Sequence, residues 1–403
     1  MSRASERHAP ESQDPDDLLL ASRNLNARYP WQDPGEQVEY GRVLDAAALL
    51  KWSPAAVVSR LDALGYADIQ RPEGPLPDAV EPDDVPLVRS AGAWSYRAPW
   101  VGLDKPVALK QILESAALTD RSPADVARRM TAYGYRVGTG ARPLPETADP
   151  RDVGLIRTER RSYGTWLDWG EEVSAPHVLG VALELSCSPY AAAKRLIALG
   201  FRLPYTPEPE DERLLKYADT PGGGWLGRWT APPVGHVLAV ARDTGRSHAD
   251  IVARLRELGC QRPDGNVPDT PEADDLVLLS ANLDGRAPWL WKNSVVGVQP
   301  RHILRASLVT GRTPAQVAGR LATLGHGLHE NANLPAVATE PDIRLLDTLT
   351  RSHRDDVHLE HVLRCATLTG RSPSDVATRL KELGHRLPDK VTYPEVVPGV
   401  RAV

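Results

Sequence analysis

Histidine is the residue type in this sequence whose placement most resembles a chemical site. Four of the eleven histidines share one position of a repeated block, eleven residues before a Ser or Thr: His177, His236, His302 and His361. Imidazole binds zinc and transfers protons near neutral pH. Two other copies of the block hold Arg42 and Gln111 at this position, and neither is an ordinary zinc ligand. The shared property is a polar group near the start of a helix, which favours a structural role without a metal ion.

An arginine recurs in all six copies of the block, seven residues after the same Ser or Thr. Its six members are Arg60, Arg129, Arg195, Arg254, Arg320 and Arg379. On a helix this position flanks the apolar stripe, so the stem can cover the core while the guanidinium meets an acidic residue of the same or the next copy. We favour this structural role and keep ligand binding as the alternative.

Sequence motifs of common enzyme classes are missing. Gly222-Gly-Gly224 lacks the Gly-Lys-Ser/Thr ending of a phosphate loop, and Gly138-Thr-Gly140 completes neither that loop nor a dinucleotide motif. Neither a Gly-x-Ser-x-Gly turn nor a His-Glu-x-x-His pair occurs. A single active site would also make one copy differ sharply from the others, and none does. We predict no catalytic residues, no cofactor and no small-molecule substrate.

Charge argues only weakly for nucleic-acid binding. Lys and Arg number 48 against 53 Asp and Glu, a net charge of −5, whereas tight phosphate binding is driven by a basic surplus. Two copies are locally basic around the second helix of the block. Their candidate contacts with nucleic acid or a partner are Arg128, Arg129 and Arg136 in the second copy and Lys194, Arg195 and Arg202 in the third.

All these residues belong to a block that occurs six times. Its Ser or Thr is followed twelve residues later by Gly in every copy: Ser53 and Gly65, Ser122 and Gly134, Ser188 and Gly200, Ser247 and Gly259, Thr313 and Gly325, Ser372 and Gly384. Gly245, Gly311 and Gly370 precede the Ser or Thr by two residues and are typical of a helix C-cap. Ser or Thr followed by Pro is typical of a helix start. The block therefore predicts two helices joined by a tight turn.

Residues on either side of the block complete the predicted unit. A short acidic, Leu-rich segment before each block predicts a third helix, and a Pro-bearing arm after the Gly predicts a short strand or wing. We predict a mainly α fold with short β-strands and six units at 14–72, 80–140, 148–205, 208–265, 272–330 and 339–390. Residues 1–13 are expected to be a flexible N-terminus and 391–403 a tail. The tryptophans between leading segment and block are expected to be large core fillers.

Composition predicts a folded cytoplasmic protein. Hydrophobic residues make up 41% of the chain, which is enough to build cores. The cysteines Cys187, Cys260 and Cys365 cannot all pair within one chain, as is typical of a reducing compartment. No apolar stretch approaches the ~18 residues that a membrane helix needs, so we expect no membrane association.

The spacing of Ala366, Gly370 and Val376 resembles a helix-turn-helix, and the trailing arm resembles the winged variety. Arg379 stands where such motifs usually have an apolar residue, and Leu380 takes the core position instead. Whole copies are similar to the tandem winged helix-turn-helix repeats of multidomain actinobacterial proteins, some of which are fused to Hsp90-type ATPases and linked to defence or conflict systems. The resemblance implies six tandem winged units in an elongated array.

Two functions remain open at this stage. The favoured one is a non-enzymatic interaction scaffold that binds a protein partner, an effector or ATPase of a defence or regulatory system. Acidity and repetition without catalytic motifs support it. The alternative is a tandem DNA-binding protein in which the second helix of the second and third copies enters the major groove.

Overall fold

A computed structural model describes residues 14–89, 100–138, 140, 142–158, 166–217, 224–226, 231–291, 297–328, 333–349, 357–388 and 391–395. Its helices recur in groups of three, one group for each predicted repeat. The predicted flexible segment 1–13 and most of the tail 391–403 lie outside the described residues. We call the three members of each group the leading, central and capped helices.

Leading helices carry acidic residues in the first turn, as predicted, and all but the last, which has ten residues, are short. They are α1 (Pro15–Ala21), a 3₁₀ helix (Pro82–Val88), α6 (Asp152–Leu155), α9 (Asp211–Leu215), α12 (Asp275–Leu279) and α15 (Glu340–Leu349). In repeat 2 the segment is a 3₁₀ helix and contains Pro86. Proline removes an N–H donor and its ring crowds the preceding turn of an α-helix, which accounts for the difference.

Central helices have ten or eleven residues. They are α2 (Tyr40–Leu50), α4 (Leu109–Thr119), α7 (Ala175–Glu184), α10 (Val234–Thr244), α13 (Pro300–Thr310) and α16 (Leu359–Thr369). Gly245, Gly311 and Gly370 follow three of them in the left-handed conformation, with φ of 69°, 72° and 66°. Lys51 and Asp120 take the same conformation at the ends of α2 and α4, at the steric cost that a side chain brings there.

Capped helices follow at once and have ten residues each. They are α3 (Pro54–Ala63), α5 (Pro123–Ala132), α8 (Pro189–Ala198), α11 (His248–Glu257), α14 (Pro314–Thr323) and α17 (Pro373–Glu382). In all six, the predicted Ser or Thr is the N-cap, and its hydroxyl accepts a hydrogen bond from the backbone N–H three residues later. The glycine twelve residues on has φ between 84° and 93° in every repeat. The cap and stop signals of the block are therefore confirmed.

Removing one cap should destabilise one repeat by a predictable amount. The Ser372 hydroxyl accepts from the Asp375 N–H at 3.1 Å, so we expect Ser372→Ala to lower the free energy of unfolding by ~1 kcal/mol. Chemical denaturation followed by circular dichroism measures this. Ser374→Ala, inside the same helix and not at its cap, should change little. An equal effect of the two substitutions would contradict the cap assignment.

Extended segments pair by single bridges that recur between repeats. A residue one or two positions after the leading helix bridges to a tryptophan in five repeats: Ser22 to Trp31, Arg89 to Trp100, Arg157 to Trp166, Lys216 to Trp225 and Ser280 to Trp289. A residue of the trailing arm forms a parallel bridge with a residue just before the central helix. Ile69 pairs in this way with Val38, and Val137 pairs with Val107. The arm is therefore extended, as predicted. Within the described ranges it forms isolated bridges rather than a longer ladder.

Contacts divide the chain into two compact halves, Met1–Pro207 and Glu208–Val403. In the first half, repeats 1 and 2 share one apolar core, which includes Leu44 of α2 and Tyr135 after α5. In the second half, Leu304 of α13 belongs to the core of repeat 6. Small three-helix units bury too little surface to be stable alone, and sharing cores between neighbours relieves this deficit.

Candidate functional site

Each recurring arginine lies on a capped helix and pairs with an aspartate of the leading helix in its own repeat. The six pairs are Arg60 with Asp17, Arg129 with Asp84, Arg195 with Asp152, Arg254 with Asp211, Arg320 with Asp275 and Arg379 with Asp342. Guanidinium nitrogens donate to both carboxylate oxygens at 2.6–3.0 Å in every pair. Such two-point pairing fixes the angle between the two helices. The guanidinium therefore meets the acidic segment of the same copy, the structural role that the sequence favoured.

The six pairs have equally buried aspartates but differ in how far their arginines are exposed. All six aspartates are at most 3% exposed, and a buried carboxylate needs a charged partner. The arginine side chains range from 8% exposed at Arg254 to 41% at Arg60. The carboxylate is thus the inner member of each pair, and the water contact of the arginine varies between repeats.

The pKa values of the buried aspartates follow the balance between burial and hydrogen bonding. Burial alone would raise the pKa of Asp84, but hydrogen bonds from Arg121, Tyr133 and Arg129 hold this pKa below its ordinary value. At Asp152, burial outweighs the pairing with Arg195 and raises the pKa. The structure therefore keeps Asp84 charged through several donors, whereas Asp152 relies on fewer.

Three of the other four predicted contact residues also have partners within the chain. Arg128 donates to Glu146 at 2.6 Å, and Arg136 donates to the Asp104 carbonyl at 2.8 Å. Lys194 lies 5.6 Å from the ring centre of Tyr190. Arg202 uses its main chain in the bridge to Glu172. Of the six candidates, Arg129 and Arg195 are therefore held by buried aspartates, whereas Arg128 pairs with the exposed Glu146.

The recurring histidine position links the central helix to the leading helix. The Nε2 atoms of His177, His236 and His302 lie 2.7–2.8 Å from the carbonyl oxygens of Leu155, Leu214 and Leu278. Gln111 donates to the carbonyls of Leu87 and Arg89, and Arg42 donates to those of Leu20 and Ser22. Burial lowers the pKa of His236 and His302, so both favour the neutral form. The predicted structural role of this position is confirmed for these five repeats.

Two glycines that the sequence analysis passed over receive tryptophans of the following repeat. A Cβ atom on Gly41 would lie 2.5 Å from the Trp100 ring, and one on Gly235 would lie 2.4 Å from the Trp289 ring. In repeat 2 the equivalent residue is Lys110, whose ammonium lies 4.5 Å from the ring centre of Trp166. The sequence predicted that these tryptophans fill the core of their own repeat. The structure shows that they also pack against the preceding repeat. Trp94 and Trp229 lie outside the described residues.

Charged residues mark two of the interfaces between neighbouring repeats. Asp45 of α2 pairs with Arg89 of repeat 2 at 2.6 Å, and Arg305 of α13 pairs with Asp347 of repeat 6 at 2.8 Å. Asp45 and Arg305 are equivalent positions of the repeat, as are Arg89 and Asp347. The two interfaces therefore use the same contact with opposite charges, a pattern visible in the sequence only once the partners are known.

Large apolar side chains are exposed at one recurring position near the end of the central helix. Leu49, Leu118, Val309 and Leu368 are between 54% and 69% exposed. The other two repeats carry Glu184 and Asp243 at this position. Isolated exposed leucines are common on protein surfaces, but the same exposed position in four repeats gives each half a repeated apolar feature.

The described residues offer no candidate for two further kinds of site. Nowhere in these ranges do three or more His, Cys, Asp or Glu side chains stand together in a way that could hold a metal ion. No helix in the same ranges has the length and apolar character needed to cross a membrane. The three cysteines are buried, and burial raises the pKa of Cys260 to about 12, which keeps this thiol protonated.

Comparison with known proteins identifies the repeat. A family model described as wHTH-Hsp90_Na associated matches the chain six times, at residues 12–66, 79–135, 147–201, 206–260, 270–326 and 337–385. No curated protein and no solved structure matches the chain. The six matched segments contain the six groups of helices and all six arginine–aspartate pairs.

Proposed function

The chain belongs to the wHTH-Hsp90_Na-associated family of winged helix-turn-helix repeats, and from this premise we propose that it is a non-enzymatic scaffold that binds a protein partner. The observation that carries the proposal is the contrast between two recurring positions. The recurring arginine is paired inside its own repeat, whereas the apolar residue near the end of the central helix faces solvent.

Internal pairing occupies several of the basic groups that a nucleic acid would need. Phosphate contacts require free Lys and Arg side chains. Arg129 and Arg195 neutralise Asp84 and Asp152, and Arg128 pairs with Glu146. With a net charge of −5 over the whole chain, these contacts favour a protein partner over DNA.

The exposed apolar positions supply the surface that a protein partner would use. Burying a leucine side chain on binding stabilises a complex by roughly 25 cal/mol for each Å² removed from water. Leu49 and Leu118 offer such side chains in the first half, and Val309 and Leu368 offer them in the second. Repetition adds avidity, because later contacts become intramolecular once the first has formed.

An Hsp90-type ATPase is the partner that the family description suggests first. We propose that the repeats bind the ATPase domain of such a protein in the cytoplasm, as part of a defence or regulatory system. We also propose that the repeats carry β wings, have the boundaries predicted from the sequence and form an elongated array.

Isothermal titration of the full chain with a purified Hsp90-type ATPase domain from the same source tests the proposal. We expect Leu49→Asp with Leu118→Asp to weaken binding at least ~10-fold, a loss of about 1.4 kcal/mol. Aspartate occurs naturally at this position as Asp243, so the substituted repeats should stay folded. Asp243→Asn is the matched control and should leave the affinity unchanged. An affinity that the two leucine substitutions leave unchanged would show that the partner does not bind at this surface.

A parallel titration with duplex DNA decides the alternative function. If DNA binds, changing Arg128, Lys194 and Arg202 together to Ala should weaken the complex and lower its salt slope by about 0.9 for each lost phosphate contact. That outcome, without binding to the ATPase domain, would replace the scaffold by a DNA-binding protein. ATP hydrolysis by the purified chain alone would overturn the non-enzymatic assignment.

A further inference from the structure

One face of the central helix is covered by the next repeat wherever a next repeat follows within the same half. The leading helices of repeats 2, 3, 5 and 6 pack against α2, α4, α10 and α13, respectively. As a result Leu44, Leu113, Leu238 and Leu304 are at most 4% exposed. We call this surface the covered face.

The covered face of α16 lacks such a neighbour among the described residues. Leu363, the equivalent of those four leucines, is 36% exposed, and Leu359, one turn earlier, is 38% exposed. The equivalents of Leu359 include Tyr40, Leu109 and Val234, all of which are fully buried. The last central helix therefore exposes a surface that other central helices bury.

We propose that α16 packs antiparallel against α16 of a second copy of this chain. Glu360 and Arg364 are both exposed and stand one turn apart beside Leu363. In an antiparallel pair related by a two-fold axis, Glu360 of each copy faces Arg364 of the other, and the two Leu363 side chains meet at the centre. The surface is therefore complementary to itself in charge and in apolar character.

The first repeat of a second copy fits this face poorly. Repeat 1 carries Trp31 where repeats 2 and 5 carry the tryptophans that pack on Gly41 and Gly235. In α16 the glycine position holds Glu360, so a tryptophan ring cannot enter there as it does at Gly41. Lys110 at this position of α4 meets Trp166 as a cation over the ring, a contact that the Glu360 carboxylate cannot make. Side-chain fit therefore favours contact between two α16 helices over a head-to-tail chain of copies.

Charge leads to the same choice. Arg364 occupies the position of Arg305, which pairs with Asp347 of the next repeat. The residue of repeat 1 equivalent to Asp347 is Ser22, which is buried and donates its hydroxyl to the Leu19 carbonyl. At this position repeat 1 thus offers no carboxylate to Arg364, whereas a second α16 offers Glu360.

The dimer should be reversible. A single pair of helices buries less than the ~1,600 Å² of a standard stable interface, so association should depend on chain concentration. Dimerisation would double the number of partner-binding surfaces in one assembly. Dimerisation requires Leu363, Glu360 and Arg364 and not Leu368, the residue of α16 that belongs to the proposed partner surface, so it does not depend on that partner.

Sedimentation velocity of the full chain over a range of concentrations is the primary test. We expect the weight-average mass to rise from that of one chain toward that of two. Leu363→Asp should abolish the rise while leaving the thermal midpoint unchanged, because the side chain is already partly exposed in the monomer. Leu118→Asp is a matched control that should still dimerise. A wild-type chain that stays monomeric, or a Leu363→Asp variant that dimerises like the wild type, overturns the proposal.

Charge exchange tests the antiparallel arrangement itself. Glu360→Arg places like charges opposite each other in the dimer, and so does Arg364→Glu, so each variant alone should lose self-association. An equimolar mixture of the two variants should recover it, because each then meets the opposite charge. A mixture that associates no better than either variant alone shows that the helices do not pair in this way and overturns the proposal.

Discussion

Replacing Asp211 by Ala is expected to lower the free energy of unfolding of the second half by about 3–5 kcal/mol, the usual cost of removing one partner from a buried ion pair. Two nitrogens of Arg254 donate to Asp211 at 2.8 Å, and the Arg254 side chain is only 8% exposed. The Asp211 carboxylate also accepts from the Glu208 N–H at 2.8 Å before α9. Its removal therefore leaves the buried Arg254 with exposed carboxylates, chiefly Glu257 at 2.9 Å, and leaves the Glu208 N–H without this acceptor. Urea denaturation followed by circular dichroism measures the loss.

The equivalent change in repeat 1 is the matched control. Asp17 is as buried as Asp211, but its partner Arg60 is 41% exposed, so water can solvate the guanidinium once the carboxylate is gone. Asp17→Ala should therefore destabilise its half less than Asp211→Ala destabilises the other. Equal losses would show that the carboxylate contributes through something other than the burial of its arginine.

A second variant separates charge burial from packing. Replacing Asp211 and Arg254 together by Leu and Met removes both charges and keeps apolar volume between the helices. Part of the stability lost in Asp211→Ala should return, because no buried charge is left without a partner. Hydrogen exchange of the amides in α9 and α11 would locate the recovery in repeat 4.

The arginine was predictable from the sequence, but its exact partner was not. The twelve-residue step from cap to glycine placed the arginine beside the apolar stripe of a helix. Each leading segment carries several acids, such as Glu210, Asp211 and Glu212, and the distance along the chain from arginine to aspartate varies between 37 and 45 residues. Only the turn of the leading helix decides which acid points inward.

Local signals predicted the helices better than the contacts between repeats. Caps and left-handed glycines act within a few residues, so Ser372 and Gly384 could be assigned from their neighbours alone. The contact of Trp289 with Gly235 joins residues far apart in the chain and depends on how two repeats stack. The sequence therefore predicted correctly that this large aromatic residue is buried. It did not predict the surface on which the residue packs.

The reversed charge pairs explain why aligning the six repeats with one another does not predict which residues lie at the interfaces between them. A position that holds Asp45 in one repeat and Arg305 in another looks variable and solvent-exposed. Its partner position changes in step from Arg89 to Asp347, so the pair is preserved while each member varies. Opposite polarities also disfavour wrong neighbours, because pairing α2 with repeat 6 would bring Asp45 against Asp347.

Substituting Leu for Gly235 is expected to lower the free energy of unfolding of the second half by about 1–3 kcal/mol, the usual cost of overpacking a close contact. A Cβ atom there would lie 2.4 Å from the Trp289 ring, which is only 5% exposed, so the ring must move and repeats 4 and 5 must separate. Gly319→Leu is the control, since this exposed glycine of α14 has no atom within 4 Å of the added Cβ and leucine favours helix. Urea denaturation measures both variants, and hydrogen exchange should show lost protection in α10 and α12 of Gly235→Leu only. Adding Trp289→Ala should lower the free energy of unfolding less in the Gly235→Leu background than in the wild type, because the two residues share one contact. Strictly additive losses would mean that the glycine does not serve to admit the tryptophan.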